Sequence, residues 1–182
     1  LMCAENEMDD EILVCYGDIL YEKDAIKKIL SSDVDIGVAV DEDYWDYWKA
    51  RLDSPEQDME SLVIDSDGKI IELGDTHCSR DRALVRYVGL IKFSSIGVEW
   101  LKRVYHEQRG QHYYNNTPWL RSKNFKQGYM TCLLQAIIQS GYRIDPILIS
   151  HGWMEFDTVE DYERSNDWHR EGLLSRFIDL NQ

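Results

Sequence analysis

An α/β fold built on an open, doubly wound sheet is what this sequence predicts, and three observations carry that expectation. Two short apolar runs, Ile12 to Cys15 and Val34 to Val40, flank a stretch from Glu22 to Leu30 with helical periodicity. Strand–helix–strand order of this kind is the signature of a parallel, doubly wound sheet with a right-handed crossover. A second helical pattern, Gln127 to Ser140, leads into another apolar run at Tyr142 to Ser150. Finally, 182 residues with 43% hydrophobic side chains suffice for one domain with a real core.

The elements follow in order. Leu1 to Met8 reads as the end of a helix, with Asp9-Asp10 turning the chain into a buried first strand, Ile12 to Cys15. Ala25, Ile26, Ile29 and Leu30 share one helical face. The segment Asp41 to Pro55 mixes Tyr44, Trp45, Tyr47 and Trp48 with charges, as an amphipathic helix over a sheet edge would. Ser61 to Ile64 and Lys69 to Leu73 bracket Asp65-Ser66-Asp67-Gly68, which is hairpin chemistry. Ala83 to Phe93 is a strand in which Gly89 marks either a bulge or the close approach of a ligand. Ile96 to Tyr105 is a helix with Ile96, Trp100, Leu101 and Val104 inward, and Arg109 to Asn124 is a long loop. The Gln127 helix buries Met130, Leu133, Leu134, Ile137 and Ile138 and stops at Gly141. Thr158, with Asp161 three positions on, caps another helix, and Trp168 to Gln182 reads as a peripheral one.

Charge and cysteine usage narrow the possible partners. With 34 acidic and 20 basic residues the net charge is −14, which argues against a nucleic-acid backbone and against an anionic membrane surface. No apolar run reaches the ~20 residues of a membrane span, and no signal peptide is evident. Cys3, Cys15, Cys78 and Cys132 are scattered, so a reducing cytoplasm is the expected setting. The chain opens on Leu1 rather than methionine, which suggests a fragment.

Two acids from opposite ends of the chain are the candidate site. Asp18 lies just past the first strand, where open α/β sheets bind ligands. Asp157 lies in the run Gly152-Trp153-Met154-Glu155-Phe156-Asp157-Thr158. Together they offer the hard oxygen ligands that suit Mg²⁺ over nucleotide phosphates. The other reading is two unrelated turn or cap aspartates.

Four segments, Ile12 to Tyr21, Tyr87 to Phe93, Gly128 to Gln135 and Gly152 to Thr158, resemble the nucleotidyltransferase superfamily, above all its phosphocholine-type and phosphonate cytidylyltransferases. The resemblance implies a Rossmann-like three-layer mixed sheet with helices on both faces, the nucleotide-diphospho-sugar transferase type. It implies that Asp18 and Asp157 are catalytic and hold Mg²⁺, with Glu155 a second-choice ligand. Substrate contacts are implied at Tyr16, Gly17, Gly89, Tyr129, Trp153 and Glu155. The implied reaction moves a nucleoside monophosphate from an NTP, with CTP expected, to an aminoalkyl phosphate or phosphonate or a sugar phosphate, releasing pyrophosphate.

There are two departures. Cys132 stands where the family usually has an acid, so Thr131 and Cys132 read as helix packing. No Gly-x-Gly-x-Arg loop occurs in these residues, so residues 1–182 are expected to be one transferase-like domain without its N-terminal NTP-binding segment. Among Tyr113, Tyr114, Trp119, Tyr129 and Trp153, two or three could cage an amine; packed aromatics are the plainer reading. His151 reads as a satisfied polar residue at a strand end. Homodimerisation is left open. Two other functions stay in view: an inactive, transferase-like binding or assembly domain, and a metal-dependent glycosyltransferase using Asp65 and Asp67.

Overall fold

The structure is a computed structural model and describes residues 1–180; the last two positions of the expected C-terminal helix lie outside the described residues. After a short 3₁₀ segment, Met2–Glu7, come β1 (Ile12–Cys15), β2 (Ile19–Tyr21), α1 (Lys23–Leu30), β3 (Ile36–Asp41) and α2 (Tyr44–Arg51). They are followed by the hairpin β4 (Leu62–Ile64) and β5 (Ile70–Leu73), then β6 (Arg86–Phe93), α3 (Ser95–His112) and α4 (Met130–Gln139). The chain closes with β7 (Asp145–Ile149), β8 (Trp153–Glu155) and α5 (Val159–Arg170).

The main sheet has the order β1-β6-β3-β7. β1, β3 and β7 run in one direction, with β3 and β7 paired directly, and β6 is antiparallel to both β1 and β3. β1 and β3 are parallel strands of one sheet, as the strand–helix–strand order predicts, but β6, from later in the chain, is inserted antiparallel between them, which corrects the all-parallel expectation to a mixed sheet. This also corrects the burial of β1, an edge strand with Ile12, Leu13 and Val14 half-buried and Cys15 exposed. β3, flanked on both sides, is buried at every position.

Alternation along β3 sorts the core into two layers. Ile36, Val38 and Val40 face one way, packing with Leu101 and Val104 of α3 and Leu134 and Ile137 of α4. Ala39 faces the other way, toward Ala25 and Ile29 of α1, Tyr47 and Trp48 of α2, and Trp153 and Met154 of β8. Helices thus cover both faces of a mixed sheet, as the resemblance implied.

Local signals are confirmed in several places. Asp65 Oδ1 accepts the N–H groups of Asp67 (2.9 Å) and Lys69 (3.2 Å) in the β4–β5 turn, where Gly68 has φ +73°. Thr158 and Asp161 form a reciprocal capping box on α5. Other expectations need revision. Ile96 is 52% exposed, and Gly97 and Val98 turn inward instead. α3 runs on to His112, shortening the expected loop to 113–124. The expected C-terminal helix is instead the end of α5 and a 3₁₀ turn at Leu174–Arg176; Phe177 and Ile178 are buried among the α2 aromatics.

Candidate functional site

The short ribbon β2–β8 builds the site. These strands pair antiparallel, with Ile19 opposite Glu155 and Tyr21 opposite Trp153. The Phe156 N–H then donates to the Asp18 carbonyl at 2.9 Å. Asp18 is thereby tied to the residue immediately before Asp157, so the backbone segments that carry the two acids lie side by side at one end of the ribbon.

Asp157 does not stand alone. Arg51, at the C-terminal end of α2, is buried, with its side chain only 3% exposed. Its guanidinium donates from Nη1 to Glu155 Oε2 at 2.6 Å, from Nη2 to Asp157 Oδ2 at 2.6 Å, and from Nε to Asp161 Oδ1 at 2.8 Å. Nη2 also reaches Asp161 Oδ2 at 3.0 Å. Asp161 feels two opposing influences: burial would raise its pKa, but the Arg51 hydrogen bonds and charge outweigh it and hold the carboxyl at about 2. One buried cation thus serves three carboxylates, a fork geometry that lysine cannot supply.

Beside the ribbon lies a cleft of about 190 Å³ lined by Tyr16, Ile19, Glu60, Arg86, Tyr87, Gly89, Tyr129, Thr131 and Glu155, with Val88 completing its wall. Burial raises the pKa of Glu155, a shift that Arg51 and Arg86 oppose and Asp157 reinforces. Burial likewise raises that of Glu60, opposed chiefly by Arg86. The Tyr16 phenol is pushed up by burial, lowered by its contact with Tyr87, and pushed up again by the charges of Glu60, Asp18 and Glu155. These acids therefore converge electrostatically on one phenol. The Tyr16 and Tyr87 rings meet edge to face, centroids 5.8 Å apart.

Gly89 explains the wall's shape. It has φ +69°, and a Cβ there would lie 2.7 Å from the Tyr16 ring; a bulge interrupts the register of β6 against β3 between Val38 and Val40. Gly89 is thus both a bulge and a close approach, the second of them to Tyr16.

Of the expected substrate residues, Tyr16, Gly89, Tyr129 and Glu155 line this cleft. Gly17 sits exposed at the tip between β1 and β2. Trp153 is 2% exposed; it packs on Tyr47 and Trp48 and donates Nε1–H to Asp41 at 2.8 Å. It stands beneath the site rather than in it. Tyr113 and Trp119 line a separate groove of about 540 Å³ that also takes in Tyr129, and Tyr114 is 89% exposed. Thr131, read as packing, is buried yet contributes to the cleft wall; Cys132 is buried.

His151 departs from its expected role as a satisfied residue: its backbone is left-handed at φ +56°, and its buried Nδ1 has no hydrogen-bond partner. It lies in a different recess, with Glu22, Asp24 and Lys28. Arg51, Glu60, Arg86 and Tyr87 are site residues that the sequence reading does not name as such. The only signal within reach was Tyr87, inside the Tyr87-Val88-Gly89 segment.

Among the described residues no group of three or more His, Cys, Asp or Glu is gathered to hold a metal. A pair of carboxylates remains, and Asp157 is half-exposed with Oδ2 on Arg51 and Oδ1 free of that contact. Mg²⁺ commonly takes one or two carboxylates and keeps water and substrate phosphates as its other ligands. The residues fit that ion.

No protein-family profile matches the chain. A CTP:phosphoglutamine cytidylyltransferase of Campylobacter jejuni is 31% identical over 163 residues, covering 90% of this chain and 61% of its own length. In fold, the chain is similar to the inositol-1-phosphate CTP transferase of T. maritima, with TM-score 0.59 and 14% identity over 93% of this chain and 58% of that one. It is also similar to a Bacillus anthracis protein assigned as a glucose-1-phosphate thymidylyltransferase, solved with sucrose, with TM-score 0.57 and 16% identity over 99% of this chain and 61% of that one. The chain spans about three fifths of the length of each relative. The resemblance to nucleotidyltransferases is borne out in sequence and in fold.

Proposed function

We propose that this chain, related in sequence and fold to the nucleotidyltransferase superfamily, carries the metal and acceptor sites of a cytidylyltransferase. In this reading an oxygen of the acceptor's phosphate or phosphonate attacks the α-phosphorus of CTP. That oxygen–phosphorus bond forms as the bond from the α-phosphorus to its leaving oxygen breaks, and pyrophosphate departs in line. The observation that carries the reading is the β2–β8 pairing, which ties Asp18 to the segment that ends in Asp157.

Asp18 and Asp157 are the residues that would hold Mg²⁺. The ion would supply Lewis-acid neutralisation of charge on the phosphate oxygens. The chain's own groups orient the acceptor. Glu155 and Glu60 line the cleft beside a single lining cation, Arg86, together with the aromatic rings of Tyr16, Tyr87 and Tyr129, and two carboxyl groups among aromatic rings suit an ammonium group. An aminoalkyl phosphate or phosphonate is therefore favoured over the phosphate of an uncharged sugar. These residues contain no Gly-x-Gly-x-Arg run, so the grip on the triphosphate is assigned to residues outside this sequence. The four free cysteines suit a reducing compartment, and the cytoplasm is our reading of location. No helix among the described residues is long and apolar enough to cross a membrane.

The test is pyrophosphate release by the intact protein, triphosphate-binding segment included, with Mg²⁺, a panel of four NTPs, and phosphomonoesters with and without an amine. Release with CTP and an aminoalkyl phosphate supports the proposal. Binding of acceptor without pyrophosphate from any NTP would favour an inactive binding domain instead.

A further inference from the structure

We infer that Arg51 is the positioning residue of the metal site: it pins one oxygen of Asp157 and presents the other to the cation. This inference rests on the metal role proposed for Asp18 and Asp157.

The argument is geometric. Asp157 follows the last residue of β8 by two positions and is half-exposed, so nothing in its own segment fixes its side chain. Among the described residues, the only hydrogen bond to its carboxylate is the one from Arg51 Nη2 to Oδ2, at 2.6 Å. Arg51 is in turn held on three sides. Its Nη1 binds Glu155 on the ribbon, and Nε and Nη2 bind Asp161 on α5. Its guanidinium carbon lies 4.9 Å from the centroid of the buried Trp48 ring.

Asp161 is itself immobilised: Oδ2 accepts the N–H groups of Asp157 (3.1 Å) and Thr158 (3.0 Å) and the Thr158 hydroxyl (3.0 Å). The guanidinium therefore transmits the rigidity of α2, α5 and the ribbon to a carboxylate that would otherwise rotate freely. A carboxylate has about four lone-pair positions, so this clamp leaves Oδ1 available. Partners of this outer kind typically change metal affinity 10- to 100-fold when altered.

The charge budget points the same way. Asp18, Glu155, Asp157 and Asp161 place four carboxylates along this end of the ribbon, against the guanidinium of Arg51 and, toward Glu155, that of Arg86. A divalent cation would bring the cluster close to balance.

The experiment uses Mn²⁺ as the probe. Its binding to the protein is titrated by the loss of the free-ion electron paramagnetic resonance signal, with thermal midpoints measured alongside. Arg51→Lys keeps the charge but removes the fork, so a loss of affinity reports on orientation rather than on charge; tenfold or greater weakening is expected. Asp161→Asn leaves Asp157 and Arg51 in place but loosens the clamp, and should weaken Mn²⁺ by a smaller factor. Tyr44→Phe removes a hydrogen bond from the same helix to Ala83 and serves as the destabilised control, with Mn²⁺ affinity unchanged.

If Arg51→Lys binds Mn²⁺ within twofold of the parent, or weakens it no more than Tyr44→Phe does, Arg51 is only structural. If the parent binds no Mn²⁺, or binds it equally well after Asp18→Asn and Asp157→Asn, the metal reading itself fails and this one with it.

Discussion

The Tyr47 phenol brackets the peptide of Glu155, 108 residues away: it accepts the Glu155 N–H at 3.1 Å and points its own hydroxyl at the Glu155 carbonyl, 3.4 Å off. A helix of the α layer thereby anchors the free edge of β8, whose other edge is paired to β2. Burial pushes the Tyr47 hydroxyl up to about 12, so it stays a neutral donor and acceptor at ordinary pH. Tyr47→Phe leaves the Glu155 N–H without this partner and should cost about 1–3 kcal/mol of stability, read as a lowered urea midpoint. Because Glu155 lines the cleft, KM for an amine-bearing acceptor should rise as well.

Asp18→Asn and Asp157→Asn each keep side-chain volume but remove a charged oxygen ligand. If both acids hold the metal, each substitution should lower the rate of pyrophosphate release at least 100-fold, equivalent to about 3 kcal/mol of transition-state stabilisation. Steady-state assays at saturating CTP and Mg²⁺ measure it. Retention of activity in either variant would remove that residue from the site.

Gly89→Ala is expected to disturb the acceptor wall. The left-handed backbone strains any side chain there, a cost of about 1–3 kcal/mol, and the added methyl would stand 2.7 Å from the Tyr16 ring. Tyr16 must move, so acceptor KM should rise along with the drop in urea midpoint, while the CTP KM stays near its original value.

Acid stability should report on the clamp. The folded Asp161 carboxyl sits at about 2, against an ordinary 3.8. A lowered pKa contributes stability that is present above the unfolded value and lost as pH falls toward the folded one. Between about pH 5 and pH 2 that contribution, about 2 kcal/mol by linkage, should disappear. Glu155, raised by burial, acts in the opposite sense, becoming less destabilising as the pH falls through its folded pKa. Chemical denaturation across this range should therefore show a shallower acid loss in Asp161→Asn than in the parent protein.

Replacing Asp65 and Asp67 together with Asn separates the transferase reading from a glycosyltransferase one. Asp65 serves the hairpin turn through two backbone N–H groups, a task Asn performs nearly as well. Nucleotide binding by calorimetry should be unchanged, and stability should shift by no more than about 0.5 kcal/mol.

Much of the molecule was legible because its signals are local. The Thr158–Asp161 box spans three residues, the Asp65–Gly68 turn four, and the α4 periodicity ten; such patterns act within a turn or two of chain. Asp18, Asp157 and Glu155 were legible as motif positions. Ile96 misled because one apolar residue at the start of a helix can follow the period and still lie off the packed face. Trp153 misled because its place beside the site gave no hint that its ring turned inward to Asp41.

The sequence by itself determined the local pieces and pointed to the two acids proposed to carry the chemistry. Only the tertiary structure decided that β6 enters between β1 and β3, that Glu60 joins Glu155 in one cleft, and that Arg51 grips three acids 104 to 110 residues away. The physical reason is range: capping and periodicity act over a few residues, whereas strand insertion and a buried ion pair depend on which distant surfaces share a core.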